Sequence, residues 1–235
     1  MKVLFIGGTG NISTYCSREL LKSGAELVLL NRGSSPPVYP EGEARSVRGD
    51  VNLPGELEKA LGDETFDTVV NWIAYTPDQL RRDIAFFGGR TAQYIFISSA
   101  SAYRKPPVSP VITESTPLAN PLWDYSRQKI ACENLLTEAW RNEGFPMTII
   151  RPSHTYGHTW LPTSFGSTDF TVPARMLEGK EVPVHGDGQS VWTLTHASDF
   201  ARGFAGLVGL AEAVGEAYHI TSDEHITWDM IHTHI

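Results

Sequence analysis

The sequence is short of several things, and each shortage removes a class of protein. Only two cysteines, Cys16 and Cys132, stand in its 235 residues. Both fall on segments with helical spacing, so they read as small buried apolar groups in a reducing compartment, not as a disulfide framework or a metal site. No basic run exceeds Arg81-Arg82, and the formal net charge is −8. That balance disfavours a nucleic-acid backbone as partner, and Arg81-Arg82 itself reads as a solvated helix face. No apolar run reaches membrane-spanning length, and the first residues enter a strand instead of forming a signal peptide. The eight histidines are scattered, with no pair at metal-ligand spacing on a convincing element, so no metal is expected. Repeats and low-complexity tracts are absent too. The expectation is a cytosolic chain that buries one ample core and carries a small second lobe.

What is present is concentrated in the first dozen residues, MKVLFIGGTGNIS. Val3 to Ile6 is a continuous apolar run, as in a strand buried on both faces. It breaks at Gly7-Gly8-Thr9-Gly10. Asn11 then opens a segment with helical spacing (Ile12, Cys16, Leu20) that stops at Gly24. A glycine turn alone is only a tight turn. Between a strand and a helix start it becomes a pyrophosphate cradle, because glycines let backbone N–H groups approach a ligand and the helix N-terminus offers unpaired donors.

The remaining elements alternate. Strands are expected at 26–30, 44–48, 68–74, 93–98, 147–150 and 217–221. Helices are expected at 57–61, 77–87 and 123–141, the last burying Cys132, Leu135, Leu136 and Ala139, with a polar loop at 34–40. Alternation of this kind means a doubly wound α/β fold, a parallel sheet of about seven strands covered on both sides. Ligands then sit beyond the carboxyl ends of the strands.

Read at those ends, the chain offers specific chemistry. The second strand finishes in Asn31-Arg32, where an acidic residue would hold the ribose 2′-hydroxyl of NAD; an amide and a guanidinium suit a 2′-phosphate better. A solvated loop arginine is the plain alternative. Asp50-Val51 ends the third strand as an adenine contact or an ordinary turn. Ser98 to Tyr103 follows the fifth strand, and hydroxyls there either form turns or bind substrate. On the long helix Tyr125 and Lys129 lie four apart, hence on one face. A nearby cation favours the phenolate and brings it towards working pH.

With these residues in view the chain resembles an extended short-chain dehydrogenase/reductase of the NAD-dependent epimerase/dehydratase family. The matches are Gly7-Gly8-Thr9-Gly10-Asn11-Ile12, Ala74, Ser98-Ser99 with Tyr103, Tyr125-Ser126-Arg127-Gln128-Lys129, Arg151-Pro152 leading to Tyr156-Gly157, and Gly186-Asp187-Gly188 leading to Asp199. The resemblance implies an NAD(P)-dependent enzyme in which Ser99 holds a substrate oxygen, Tyr125 transfers the proton, and Lys129 tunes Tyr125 and binds the nicotinamide ribose. It implies a cofactor site of Gly7, Gly10, Asn11, Ile12, Asn31, Arg32, Asp50, Val51, Ile73, Ala74, Tyr75, Lys129 and Pro152, with NADP favoured and NAD possible. A small-molecule substrate is expected, with no membrane partner, and a homodimer is left open.

Departures from the family pattern narrow the substrate. Ser13 replaces the third motif glycine, a change expected to loosen the helix–strand contact slightly. Ala100 and Ser101 stand where 4,6-dehydratases carry an acidic pair, which argues against water elimination. His154 and Trp192 stand where nucleotide-sugar enzymes carry an asparagine and a phosphate-binding arginine. Ser101, His154 and Trp192 are therefore the substrate candidates, with His158, His196, Trp72, Trp123 and Trp160 as further possible contacts.

The expected organisation is a dinucleotide-binding unit at 1–153, a lobe segment at 154–195, a return to the first unit at 196–222, and the start of a lobe helix at 223–235, where the family usually continues. Three alternatives stay open. The Asn31-Arg32-Gly33 turn and Asn71-Trp72-Ile73-Ala74 also resemble stem-loop RNA-binding members of the superfamily. A non-catalytic cofactor sensor and a nucleotide-sugar 4-epimerase are the others.

Overall fold

Apolar runs flanked by glycine turns build the centre of the computed structural model, which describes residues 1–33, 43–165 and 169–235. Seven strands form one parallel sheet: β1 (Lys2–Ile6), β2 (Glu26–Asn31), β3 (Arg45–Arg48), β4 (Phe66–Asn71), β5 (Thr91–Ile97), β6 (Met147–Pro152) and a last strand, Ala217–Ile220. Their spatial order is last strand, β6, β5, β4, β1, β2, β3, with every pairing parallel. The order reverses between β1 and β4, and that switch point is where such sheets bind ligands. The architecture is the expected doubly wound α/β fold of Rossmann type.

Helices cover both faces. On one, α1 (Asn11–Lys22) and a helix at Ala197–Leu207 bury Cys16, Leu20, Phe200 and Phe204 against Val3, Phe5 and Val70. On the other, α2 (Glu56–Leu61), α3 (Pro77–Phe87) and α4 (Asp124–Glu143) bury Leu57, Leu80, Phe87, Cys132 and Leu136 against Leu4, Ile6 and Phe96. Both cysteines are buried free thiols. No helix among the described residues is long and apolar enough to cross a membrane, and no group of metal-ligating side chains occurs among them.

Three expectations are corrected, and one helix was not foreseen. The strand at 68–74 ends at Asn71, because Asn71 Oδ1 accepts the amides of Ile73 and Ala74 at 2.8 Å each and turns the chain. Trp123 is not helical: it is the extended N-cap residue of α4. The Arg81-Arg82 pair divides, Arg81 facing solvent with Asp78 while half-buried Arg82 donates to the Val51 carbonyl at 2.7 Å. The Ala197–Leu207 helix was not expected, although Ala197, Phe200, Ala201 and Phe204 repeat at helical spacing. The expected 34–40 loop lies outside the described residues.

The segment between β6 and that helix holds β7 (His154–Tyr156), α5 (Thr171–Leu177), β8 (Val191–Trp192) and β9 (Leu194–His196). The helix at Ala197–Leu207 is α6 and the strand Ala217–Ile220 is β10. β11 (Ile226–Thr227) and α7 (Trp228–His234) follow. β7 pairs with β9, and β8 pairs with β11, so the lobe is stitched to the chain end.

Candidate active site

The glycine turn has the geometry a cradle needs. Gly7 and Gly8 take φ of +88° and +120°, conformations that L side chains rarely adopt. A Cβ on Gly7 would also press on Ile73 at 3.0 Å. Gly10 caps α1 from an extended conformation, leaving the first turn's amides, those of Asn11 and Ile12 among them, without partners inside the helix. Ser13 sits inside this turn. It is buried, and its Oγ accepts the Gly10 amide at 2.8 Å, closing the loop from within.

The β4 end is fixed by a buried polar chain that sequence reasoning missed. Asn71 holds Ile73 and Ala74 as above and donates to Asp83 Oδ2 at 2.6 Å, while the Tyr94 hydroxyl donates to the same oxygen. Burial pushes the Asp83 carboxyl up to about 6. Two cofactor candidates, Ile73 and Ala74, are thereby locked in place, Ile73 beside Gly7.

Ser99, Tyr125 and Lys129 converge. The Ser99 hydroxyl lies beside the Tyr125 phenol and lowers its pKa, and Ser99 Oγ accepts the Ser101 amide at 3.1 Å. Lys129 is fully buried, and its Nζ donates to the carbonyls of Ala74 and Ile97 at 2.8 Å each. An ammonium has three donors, so one remains for a ligand. Nζ lies 5.6 Å from the Tyr125 ring centroid and 4.7 Å from that of Tyr75.

The electrostatics correct the sequence expectation. Burial raises the Tyr125 phenol above its ordinary value, opposed by the neighbouring Ser99 hydroxyl. Burial lowers Lys129 to about 8. Lys129 bonds carbonyls and not the phenol, so its charge does not bring Tyr125 towards neutrality in the ligand-free protein.

Behind this centre lies a second network. Ser98 Oγ donates to Glu133, whose carboxylate receives Arg151 Nε at 3.0 Å and Nη2 at 2.6 Å. Arg151 Nη1 also donates to the Tyr103 hydroxyl at 3.2 Å. Glu133 follows Lys129 by one helical turn, and that spacing was the available signal. Ser98, Tyr103 and Arg151 therefore brace the β5 and β6 ends, while Pro152 is buried at the end of β6.

At the adenosine end, Asn31 Oδ1 accepts the Gly33 amide at 2.9 Å, so its side chain shapes the turn. Arg32 is exposed. It borders an open depression of about 370 Å³ together with Arg48, Gly49, Asp50, Glu56 and Lys59. Asp50 Oδ1 accepts the Asn52 amide at 3.0 Å, an ordinary turn role, and Val51 is tied to α3 through Arg82.

In the lobe His154 stacks on Trp160, with centroids 5.0 Å apart and planes at 13°, and touches Trp192 at 5.7 Å. Its Nε2 is buried without a partner, and burial lowers its pKa. The Ser101 hydroxyl is likewise buried and unpartnered. His196 caps α6, accepting the Ser198 amide at 3.2 Å, and His158 packs on Tyr15. Trp72 packs on Phe5 and Phe204. These last three are structural contacts.

The donor set fits a dinucleotide: glycines in left-handed turns, a helix start with open amides, a lysine with one donor remaining, and a guanidinium beside a depression. Comparison with known proteins agrees. The profile of the NAD dependent epimerase/dehydratase family matches residues 3–88 and 86–221. A chloroplast stem-loop binding protein of 41 kDa from Arabidopsis thaliana is 27% identical over 97% of this chain and 60% of its own length. A 2′-dehydrokanamycin reductase from Streptomyces kanamyceticus is 26% identical over 97% of this chain and 64% of its own. The chain thus spans less than two thirds of either relative. The UDP-glucuronic acid 4-epimerase from Bacillus cereus, solved in complex with NAD, superposes with a TM-score of 0.78 at 24% identity, over 99% of this chain and 83% of that one.

Proposed function

The chain belongs to the NAD dependent epimerase/dehydratase family, and from that premise we propose that it is an NAD(P)-dependent oxidoreductase or epimerase acting at a secondary alcohol or carbonyl of a small molecule. The observation that carries this reading is the convergence of Ser99 and the buried Lys129 on Tyr125, with Lys129 Nζ 5.6 Å from the Tyr125 ring centroid. A bound nicotinamide would supply the hydride acceptor or donor; this chain supplies everything else. Gly7, Gly10, Asn11 and Ile12 would seat the pyrophosphate on backbone amides, and Ile73, Ala74, Tyr75 and Pro152 would border the ring end. Ser99 holds the substrate oxygen, and the Tyr125 hydroxyl gives it a proton or takes one. The remaining donor of Lys129 suits a ribose hydroxyl. An ordered ligand there would also exclude water from the half-buried phenol and strengthen the pull of Lys129 on it.

Arg32, with no acid at position 31, favours NADP(H) over NAD(H). For the substrate, a neutral His154 and a tryptophan at position 192 offer a diphosphate little charge, so the reading is a smaller, weakly charged hydroxy or carbonyl compound. The reductase relative, named for a substrate that is not a nucleotide sugar, is consistent with this. The stem-loop binding relative raises RNA as a ligand, and the net charge of −8 speaks against it. The two thiols suit a reducing, cytosolic setting.

The test follows nicotinamide absorbance over a panel of hydroxy and carbonyl compounds. Tyr125→Phe should abolish turnover while leaving cofactor affinity nearly unchanged, and Lys129→Ala should weaken both. Near wild-type turnover in Tyr125→Phe would refute the assignment.

A further inference from the structure

The buried ammonium of Lys129 has two acceptors of different kinds. The Ile97 carbonyl belongs to β5, and the sheet fixes that residue by its pairing with Ile150 of β6. The Ala74 carbonyl belongs to no strand or helix, since β4 ends at Asn71 and α3 begins at Pro77. A lysine stem is long and flexible, so the direction of its third donor follows from the two already engaged. Ile97 is the fixed point. Ala74 has to be held by something outside the sheet.

A side chain of α3 does this. Gln79 Oε1 accepts the Tyr75 amide at 2.6 Å and the Thr76 amide at 3.0 Å. The Ala74–Tyr75 peptide bond is trans, and in a trans unit the carbonyl and the N–H point in opposite directions. Lys129 and Gln79 therefore grip the two ends of one peptide unit, and turning that unit would break both contacts. Gln79 caps α3 reciprocally with Thr76, as a Thr-x-x-Gln spacing allows. The cap needs only the Thr76 amide; the shorter bond, to Tyr75, is additional. Gln79 is itself anchored, its Nε2 donating to Asn52 Oδ1 at 2.7 Å. The preceding amide, that of Ala74, is held by Asn71, which donates in turn to Asp83.

We propose that Gln79 is a positioning residue for Lys129: by holding the Tyr75 amide it aims the Ala74 carbonyl, and through that carbonyl the remaining donor of the ammonium. What the donor then meets, a ribose hydroxyl, rests on the oxidoreductase reading above; the aiming is a property of the protein alone. Without the Gln79 side-chain oxygen, the Ala74–Tyr75 unit is no longer held at its Tyr75 end. Lys129 would then keep Ile97 as its one fixed acceptor, and the Tyr75 ring, whose centroid lies 4.7 Å from Nζ, would lose its place beside it.

The experiment labels the lysine Cε atoms of the whole chain with carbon-13 and follows the Lys129 signal by NMR, identified by its loss in Lys129→Ala. Gln79→Ala should shift that signal, because the ammonium loses a fixed acceptor and a neighbouring ring. Gln79→Glu keeps an oxygen for both amides and should return the signal most of the way. Leu61→Ala, which opens a cavity in the core under α2, should lower stability and leave the signal in place. Calorimetry with the tighter-binding of NADP+ and NAD+ should find Gln79→Ala about fivefold weaker than wild type, the size of one lost hydrogen bond. A Lys129 signal unmoved by Gln79→Ala, one moved equally by Leu61→Ala, or no recovery in Gln79→Glu would overturn the proposal. Failure of the oxidoreductase reading looks different: the wild type would bind neither nicotinamide cofactor, or Tyr125→Phe would keep its turnover, while the lysine signals still responded as above.

Discussion

Arg151 and Glu133 face each other as a bidentate ion pair, Nη2 to Oε2 at 2.6 Å, with side chains only 6% and 3% exposed. Both charges are out of water, so each depends on the other. Arg151→Met alone should cost about 3–5 kcal/mol, because it strands a buried carboxylate. The double variant Arg151→Met/Glu133→Leu should recover much of that loss. Urea unfolding of the three proteins measures the coupling; additive losses would mean the pair does not act as a unit.

Asp83 makes stability depend on pH. Its carboxyl titrates at about 6 in the folded protein against an ordinary 3.8, so the folded state holds the proton more tightly than the unfolded one. Stability from this group is complete below about pH 4 and is lost as pH rises to about 6, by up to about 3 kcal/mol. In Asp83→Asn the amide oxygen still accepts from Asn71 and Tyr94 but cannot ionise. The variant should match wild type at pH 4 and exceed it at pH 8. Parallel pH profiles would remove Asp83 from the account.

Arg32 should set cofactor preference. A guanidinium–phosphate contact is worth roughly 1.5–3 kcal/mol, about one to two orders of magnitude in affinity. Calorimetry should find NADP(H) tighter than NAD(H), and Arg32→Ala should erase the difference. Arg48 and Lys59 border the same depression, so a residual preference in Arg32→Ala would assign them part of the role. Tighter NAD binding by wild type would reduce Arg32 to a surface residue.

Nucleotide sugars should bind poorly. Arg175, the lobe arginine nearest in sequence to Trp192, donates to the Glu181 carbonyl, and burial keeps His154 neutral. Titration of UDP, dTDP and their hexose conjugates should give millimolar affinities at best, and Trp192→Arg should improve them. Micromolar binding of a nucleotide sugar to wild type would restore nucleotide-sugar epimerisation as the leading function.

Much of the frame was legible before any coordinates, because buried parallel strands are written as apolar runs and glycines punctuate them. The short-range pair Tyr125 and Lys129 was equally plain, being one helical turn apart. What escaped was long-range and polar. Nothing local in Asn71, Asp83 and Tyr94 announces a shared hydrogen-bond chain, since the three come from a strand, a helix and the next strand. Ion pairing of Glu133 with Arg151 likewise joins a helix to a strand. The direction of the Tyr125 shift was misread for a related reason: sequence spacing reports that a cation is near, but not that its donors point at carbonyls. Trp123 looked helical by pattern, and only its extended backbone shows it standing outside the helix.

Asn11, the first residue of α1, donates to the Thr155 carbonyl at 3.4 Å and accepts from the Thr159 hydroxyl at 3.0 Å. Gly157 lies so close that a Cβ there would sit 2.8 Å from Asn11 Oδ1. One side chain thus joins the proposed pyrophosphate seat to the start of the lobe. A ligand that orders the first turn of α1 is expected to order 155–159 with it, through these same contacts. Steady-state kinetics should therefore follow a compulsory sequence, dinucleotide on first and off last, with amide exchange slowed at 155–159 by dinucleotide alone. A bulkier residue at position 157 would break that timing while leaving every catalytic side chain in place.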